Sequence, residues 1–280
     1  MWATRRESMY LDFLGLQEKP FSITADPSFL YLSKRHREAL SHMVYGIRER
    51  KGFIEITGEI GTGKTTLCKA LLRHLDPATK TALILQPNLS ELQLLQAVVQ
   101  DFGLNPMASN RLGLFNQLNH FLLQQAGLGH NIVLVIDEAQ NLSLRILEQI
   151  RILSNLETDK DKLIQIILVG QPQLREKLAL PSLEQLRQRI GVRYHITALD
   201  LDEVRTYIDH RLHVAGSNGT LEWTPEGVDE VYQCSRGIPR LINLVCDRSL
   251  LACYVFRVKR VDREIVRRSY QELAGEVVVS

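Results

Sequence analysis

Residues Gly58, Glu59, Ile60, Gly61, Thr62, Gly63, Lys64, Thr65 and Thr66 leave an apolar run, Phe53–Thr57, and enter a stretch with helical periodicity. A glycine-rich turn between strand and helix lets successive backbone N–H groups point inward, forming an anion-binding nest at the helix N-terminus. Gly58, Gly63, Lys64 and Thr65 fit the G-x-x-x-x-G-K-[ST] spacing. That spacing predicts a cradle for the phosphates of a nucleoside triphosphate, with Lys64 reaching the β- and γ-phosphates and Thr65 offering its hydroxyl to Mg²⁺.

A triphosphate site also needs carboxylates at the end of a neighbouring strand. Ile132–Gln140, IVLVIDEAQ, supplies them: Asp137 emerges from an aliphatic run, at the C-terminal edge of the predicted sheet. Asp137 is the expected partner of the Mg²⁺ shell, and Glu138 the expected general base for the attacking water. The following apolar run ends at Gln171, placed to orient that water. In LEQLRQRIGVRYHI, Arg187, Arg189 and Arg193 precede or begin the last strand. Copies assembled in a ring would use one of them to stabilise charge on a neighbour's γ-phosphate. Arg189, at the helix end, is the first choice and Arg187 the second. Arg240, in SRGIPRLIN, begins a later helix and is the candidate for coupling the γ-phosphate to motion of the C-terminal helices.

The elements that must position these groups alternate. Strand candidates are 53–57, 81–85, 132–136, 164–169 and 192–196, with helical patterns starting near Lys64, Ser90, Leu112, Ser143 and Ser182. The alternation argues an α/β fold with a parallel sheet and right-handed crossovers. After residue 199 the strand signals stop, and helix starts at Asp200, Thr224 and Asp262 suggest a small all-helical lid. The expected organisation is 1–50, an N-terminal segment with a turn at Ala25-Asp26-Pro27-Ser28; 51–198, the nucleotide-binding core; and 199–280, the lid.

Composition narrows the classes. The net charge of +2 gives no global polycation that would imply nucleic acid. Cys68, Cys234, Cys246 and Cys253 lack metal spacing and read as buried thiols in a reducing compartment. No run approaches the roughly 18 apolar residues of a membrane helix, so the chain as given is expected to be cytoplasmic. No G-x-S-x-G elbow is present, and the histidines lack metal partners.

Taken together, the P-loop, Asp-Glu strand, polar residue, arginine end and lid arginine resemble the AAA+ ATPases. MYLDFLGLQEKPFSITADPSFLYLSKRHREAL, GEIGTGKTTL, VLVIDEAQNLS, LVGQPQLRE, LRQRIGVRYHI and SRGIPRLIN are similar to the general secretion pathway protein A group, over residues 9 to about 270. The resemblance implies a five-stranded sheet of order 5-1-4-3-2 and adenine held between the N-terminal segment, around Phe29–Arg37, and the lid. It implies ATP and Mg²⁺ as cofactors and assembly into a homo-oligomer, ring or other multimer. It also implies a place at the inner face of the bacterial inner membrane, with a secretion or pilus component as partner. Members of the secretion branch continue into a membrane helix and a cell-wall-binding domain, neither of which is in this sequence; the chain is expected to be the cytoplasmic part of such a protein or a shorter relative. The alternative is a DNA-associated AAA+ regulator of the transposition or initiator type. Its sequence support is RVKRVDREIVRR, where Arg260, Arg263 and Arg267 share a helical face.

Overall fold

The computed structural model describes residues 10–23, 27–85, 87–156 and 162–275. The first residues of the N-terminal segment, and Ala25 and Asp26 of the expected turn, lie outside them. The chain runs α1 (Leu11–Leu14), α2 (Lys34–Arg48), β1 (Phe53–Gly58), α3 (Lys64–His74) and β2 (Lys80–Ile84). Then come α4 (Glu91–Asp101), α5 (Arg111–Gly127), β3 (Ile132–Ile136), α6 (Leu144–Leu153) and β4 (Gln165–Gly170). They are followed by α7 (Pro172–Leu178), α8 (Glu184–Arg189), β5 (Ile190–Ile196) and α9 (Leu201–Val214). The chain continues through β6 (Glu222–Trp223), α10 (Pro225–Ser235), α11 (Pro239–Phe256), β7 (Arg260–Val261) and α12 (Arg263–Ala274).

Two compact units form. One comprises Lys34–Ile60 and Lys64–Thr197; the other takes the chain up to Ser33, Gly61–Gly63, and Ala198 onward. In the first, five parallel strands lie in the order β2-β3-β4-β1-β5, the order implied by the resemblance. Strands β1, β3 and β4 are buried along their whole length, which explains their nearly unbroken apolar sequence: helices cover both faces. Leu94, Val98, Leu118 and Leu122 pack with Leu134, Ile136, Ile166 and Leu168 in the core. Local signals set the helix starts. Ser90 and Gln93 form a reciprocal capping box on α4, and Ser143 caps α6, each worth about 1 kcal/mol. Helix α7, which no periodicity marked, begins at Pro172, whose missing N–H costs nothing at a first helical position.

The second unit has its own core, in which Tyr10, Leu14, Phe21 and Phe29 pack with Tyr207, Ile208, Val231, Ile242 and Cys246. Buried Arg211 ties the N-terminal segment down: it donates to the carbonyls of Pro20 and Ser22 and stacks over Phe29 at 4.6 Å. The helix starts fall where the sequence put them, with Asp200, Thr224 and Asp262 capping α9, α10 and α12. Gly237 (φ 72°) admits only glycine before α11, since a Cβ there would stand 1.9 Å from the Leu199 carbonyl oxygen. One expectation is corrected. The C-terminal region is not all helical, because β6 and β7 form a parallel pair, Glu222 with Arg260 and Trp223 with Val261. Two residues per strand are too few to show alternation in a sequence.

Candidate functional site

The site is assembled where β1, β3 and β4 end. Strand β1 delivers Gly58 and α3 begins at Lys64, so the glycine-rich turn spans strand and helix as the motif requires. Gly61 (φ 82°) and Gly63 (φ 92°) hold left-handed backbone that bulkier residues disfavour. Lys64 is buried, and its Nζ donates to the carbonyls of Gly58 and Glu59, both at 2.9 Å. Burial pushes its ammonium below the ordinary lysine range, while Glu138, Asp137 and Glu59 push it back up. A buried cation held by two loop carbonyls is poised to exchange them for phosphate oxygens. In the other unit Thr62 is buried, and the Gly61 carbonyl accepts the Arg240 N–H at 3.3 Å. A Cβ on Gly61 would meet the Arg240 Cβ at 2.8 Å. Arg240 occupies the first turn of α11, with its side chain exposed.

Strand β3 carries Asp137 to the same edge, where it is buried. Thr65 Oγ1 donates to Asp137 Oδ2 at 2.5 Å, and the Glu138 N–H donates to Oδ1 at 2.8 Å. Burial raises the Asp137 carboxyl; the Thr65 and Glu138 donors oppose that rise. A hydroxyl and a carboxylate in contact are hard oxygen donors of the kind Mg²⁺ prefers, and Mg²⁺ takes few protein ligands beside substrate phosphates and water. Among the described residues, no group of three or more His, Cys, Asp or Glu is arranged to hold a metal ion.

Glu138 follows in left-handed backbone (φ 52°), a conformation costing a non-glycine residue about 1–2 kcal/mol. Its Oε2 accepts from Gln171 Nε2 at 3.2 Å and from Gln140 Nε2 at 2.5 Å. Gln171 is the residue before α7, at the end of β4, as its place after an apolar strand suggested. Gln140 was not singled out from the sequence. Its only signal there is a second amide two residues after the acid pair.

The arginines lie elsewhere. Ile190, the first residue of β5, pairs with Phe53, the first of β1, so Arg187 and Arg189 sit at the sheet's N-terminal edge. Gly58 lies five residues further along β1 than Phe53, roughly 17 Å at 3.3 Å per residue. Arg189 is tied back, donating to Ser154 Oγ at 3.2 Å and to Asn155 Oδ1. Arg187 is exposed, and its guanidinium has no hydrogen bond or ion pair among the described residues. Arg193 donates to the Arg187 carbonyl at 2.6 Å and to Glu55 Oε2 at 3.2 Å. With Arg175 they line a pocket of about 430 Å³ above buried Glu55, whose carboxyl burial raises and Arg193 and Arg175 lower. Glu55, a lone acid inside an apolar strand, was also passed over in the sequence.

Two further readings resolve. Arg260 lies in β7 rather than on α12 and faces Glu222 at 3.8 Å, so it shares no helical face with Arg263 and Arg267. Those two converge on Glu230 at 3.6 and 3.5 Å. Cys68, Cys246 and Cys253 are buried free thiols, with Cys253 pushed up to about 12 by burial, while Cys234 is only partly buried. Among the described residues, no helix is long and apolar enough to cross a membrane.

A parallel sheet of this order, with a glycine-rich turn after β1 and an acid pair after β3, gives the chain the P-loop AAA+ fold. An AAA-domain family model matches residues 47–178. Within that class, the sequence is similar to general secretion pathway protein A of Aeromonas hydrophila, with 46% identity over 95% of this chain. The chain spans about half the length of that curated relative, 49%. Solved structures share the fold at low identity. The Aeropyrum pernix ORC2 protein, in ADPNP-ADP complexes, matches at TM-score 0.65 and 17% identity, over 91% of this chain and 72% of that one. Cdc6p of Pyrobaculum aerophilum matches at TM-score 0.68 and 18% identity, over 90% and 70%.

Proposed function

We propose that this chain is an Mg²⁺-dependent ATPase that works as a homo-oligomer in a bacterial envelope machine, such as a secretion system or pilus, from the inner face of the inner membrane. The observation that carries the ATPase reading is the contact of Thr65 with Asp137, beside Glu138 and the buried Lys64. The envelope assignment follows the similarity to general secretion pathway protein A.

In this reading the turn Gly58–Thr66 binds the ATP phosphates through its N–H groups, and Lys64 moves from the Gly58 and Glu59 carbonyls to the β- and γ-phosphate oxygens. Thr65 and Asp137 hold Mg²⁺, which supplies charge neutralisation to the phosphates when bound. Glu138 takes a proton from the attacking water, Gln171 orients that water, and the products are ADP and phosphate. Arg240 couples the γ-phosphate to the C-terminal helices, and the stretch around Phe29–Arg37 contributes to the adenine pocket. Distance within one chain favours a trans role for the arginine end. Arg187, exposed and without a side-chain partner among the described residues, now stands ahead of Arg189, which is engaged by Ser154 and Asn155.

The alternative, a DNA-associated regulator, loses the arginine stripe on which its sequence support rested. The test is ATPase rate against protein concentration, with and without double-stranded DNA. A rate per subunit that rises with concentration and ignores DNA is expected. A rate flat in concentration but strongly stimulated by DNA at physiological salt would transfer the chain to the regulator class.

A further inference from the structure

The geometry points to Gln140 as a positioning residue that fixes the Glu138 carboxylate for its encounter with water; the inference rests on the ATPase reading. Gln140 lies in the short 3₁₀ turn Ala139–Asn141 directly after the acid pair. Its Nε2 donates to Glu138 Oε2 at 2.5 Å, and its Oε1 accepts the backbone N–H of Gln171 at 3.0 Å. The second contact orients the first. A side-chain amide whose oxygen is engaged by an N–H must present its NH₂ at the other end, so Gln140 meets Glu138 only as a donor. Gln171 Nε2 reaches the same oxygen at 3.2 Å. Two amides thus converge on Oε2, while Oε1 receives no hydrogen bond among the described residues. One oxygen is held by the protein, and the other is left without a protein donor among the described residues, open to a water.

Gln140 is itself held. Its backbone carbonyl accepts Lys177 Nζ at 2.5 Å, and the same ammonium reaches the Leu142 carbonyl at 2.8 Å. Its Oε1 stands 2.7 Å from where a Cβ on residue 170 would lie, so Gly170 leaves room for the amide. Glu138 stands two residues past the end of a wholly aliphatic strand, whose side chains offer its carboxylate no donor. The other charges bearing on Glu138 are Lys64 and Asp137, and neither hydrogen-bonds its carboxylate oxygens among the described residues. Gln140 also joins the two water-handling residues, Glu138 and Gln171, through a single side chain. Losing it removes an anchor from both.

The experiment is steady-state ATPase kinetics on the whole chain carrying Gln140→Ala or Gln140→Glu, each alone and combined with Glu138→Gln. Gln140→Ala is expected to lower kcat about 10- to 100-fold, at or below the lower end of general-base effects because the base itself is kept, with KM for ATP within about twofold of the parent. Gln140→Glu keeps an acceptor for the Gln171 N–H but sets a carboxylate against Glu138, so kcat falls at least as far although the structural contact survives. Combined with Glu138→Gln, neither change lowers the residual rate further, because the residue acts through Glu138. Parental kcat in Gln140→Ala, or the same fold-loss with and without Glu138→Gln, would overturn the inference. Urea midpoints and nucleotide titrations accompany each variant, and should Gln140→Ala fail to fold, Gln140→Glu decides. If the parent chain itself has no turnover, the ATPase reading falls and this inference with it. Turnover in the parent with unaffected Gln140 variants sinks this inference alone.

Discussion

The two edges of the five-stranded sheet carry opposite kinds of polar structure. At the C-terminal edge, Thr65, Asp137, Glu138, Gln140 and Gln171 form one connected hydrogen-bonded set, with Lys64 locked onto the loop carbonyls beside it. At the N-terminal edge, Arg187 projects into solvent beside Arg175 and Arg193, with Glu55 as the acid beneath. A closed network is built in advance for a substrate that must be met with little rearrangement. Guanidinium groups crowded around one carboxylate repel one another, and an anion brought from outside relieves that repulsion. The contrast teaches that, on the proposed reading, one edge is complete within the chain and the other is left for a second copy.

The sharpest way to break this comparison is at the complete edge. Lys64→Ala should abolish nucleotide binding, with affinity falling beyond about 100-fold because the buried charge facing the phosphates is gone; titration with a fluorescent nucleotide reads it. Retained affinity would mean that the loop does not bind phosphate. Glu138→Gln should keep binding within about threefold and lose turnover by at least about 100-fold. An equal loss of binding in the two variants would show that their roles are not separate.

At the incomplete edge the effects are smaller and differ in kind. Arg187→Ala should spare nucleotide binding by dilute protein and lower assembly-dependent turnover by roughly 10³-fold or less, the low end for arginines acting in trans. Mixing it with Glu138→Gln protein should restore part of the rate; if no mixture recovers activity although the two co-assemble, the trans role is lost. Arg189→Ala should act on stability instead, costing at most about 1 kcal/mol by urea denaturation through its partly exposed bonds to Ser154 and Asn155. A reversal of these two outcomes would return the trans role to Arg189. Smallest of all, Arg267→Ala should change neither turnover nor DNA response, since it removes one of two exposed arginines that meet the partly buried Glu230.

The strands were legible because each is either a run of aliphatic residues or bounded by turn signals, and in β3 and β4 burial on both faces enforces that composition. The caps at Ser90, Ser143, Asp200, Thr224 and Asp262 were legible because a side-chain oxygen before a helix serves a local N–H, whatever lies beyond. Helix α7 was missed because its seven residues are too few to display a 3.6-residue period. Arg260 was misplaced because a two-residue strand leaves the spacing of the arginines unchanged while turning the chain between them.

By itself the sequence determined the glycine-rich turn, the acid pair at the end of a buried strand, and the succession of the five core strands with most of the helices between them. These are properties of residue type and near-neighbour spacing, and local backbone geometry expresses them directly. Only the tertiary structure decided that Gln140 grips Glu138, that Arg189 is occupied while the Arg187 side chain meets no partner among the described residues, and that these two arginines stand a sheet's length from the chain's own P-loop. Those outcomes depend on which strands pair in which register, and residues far apart along the chain meet only after the sheet has set it.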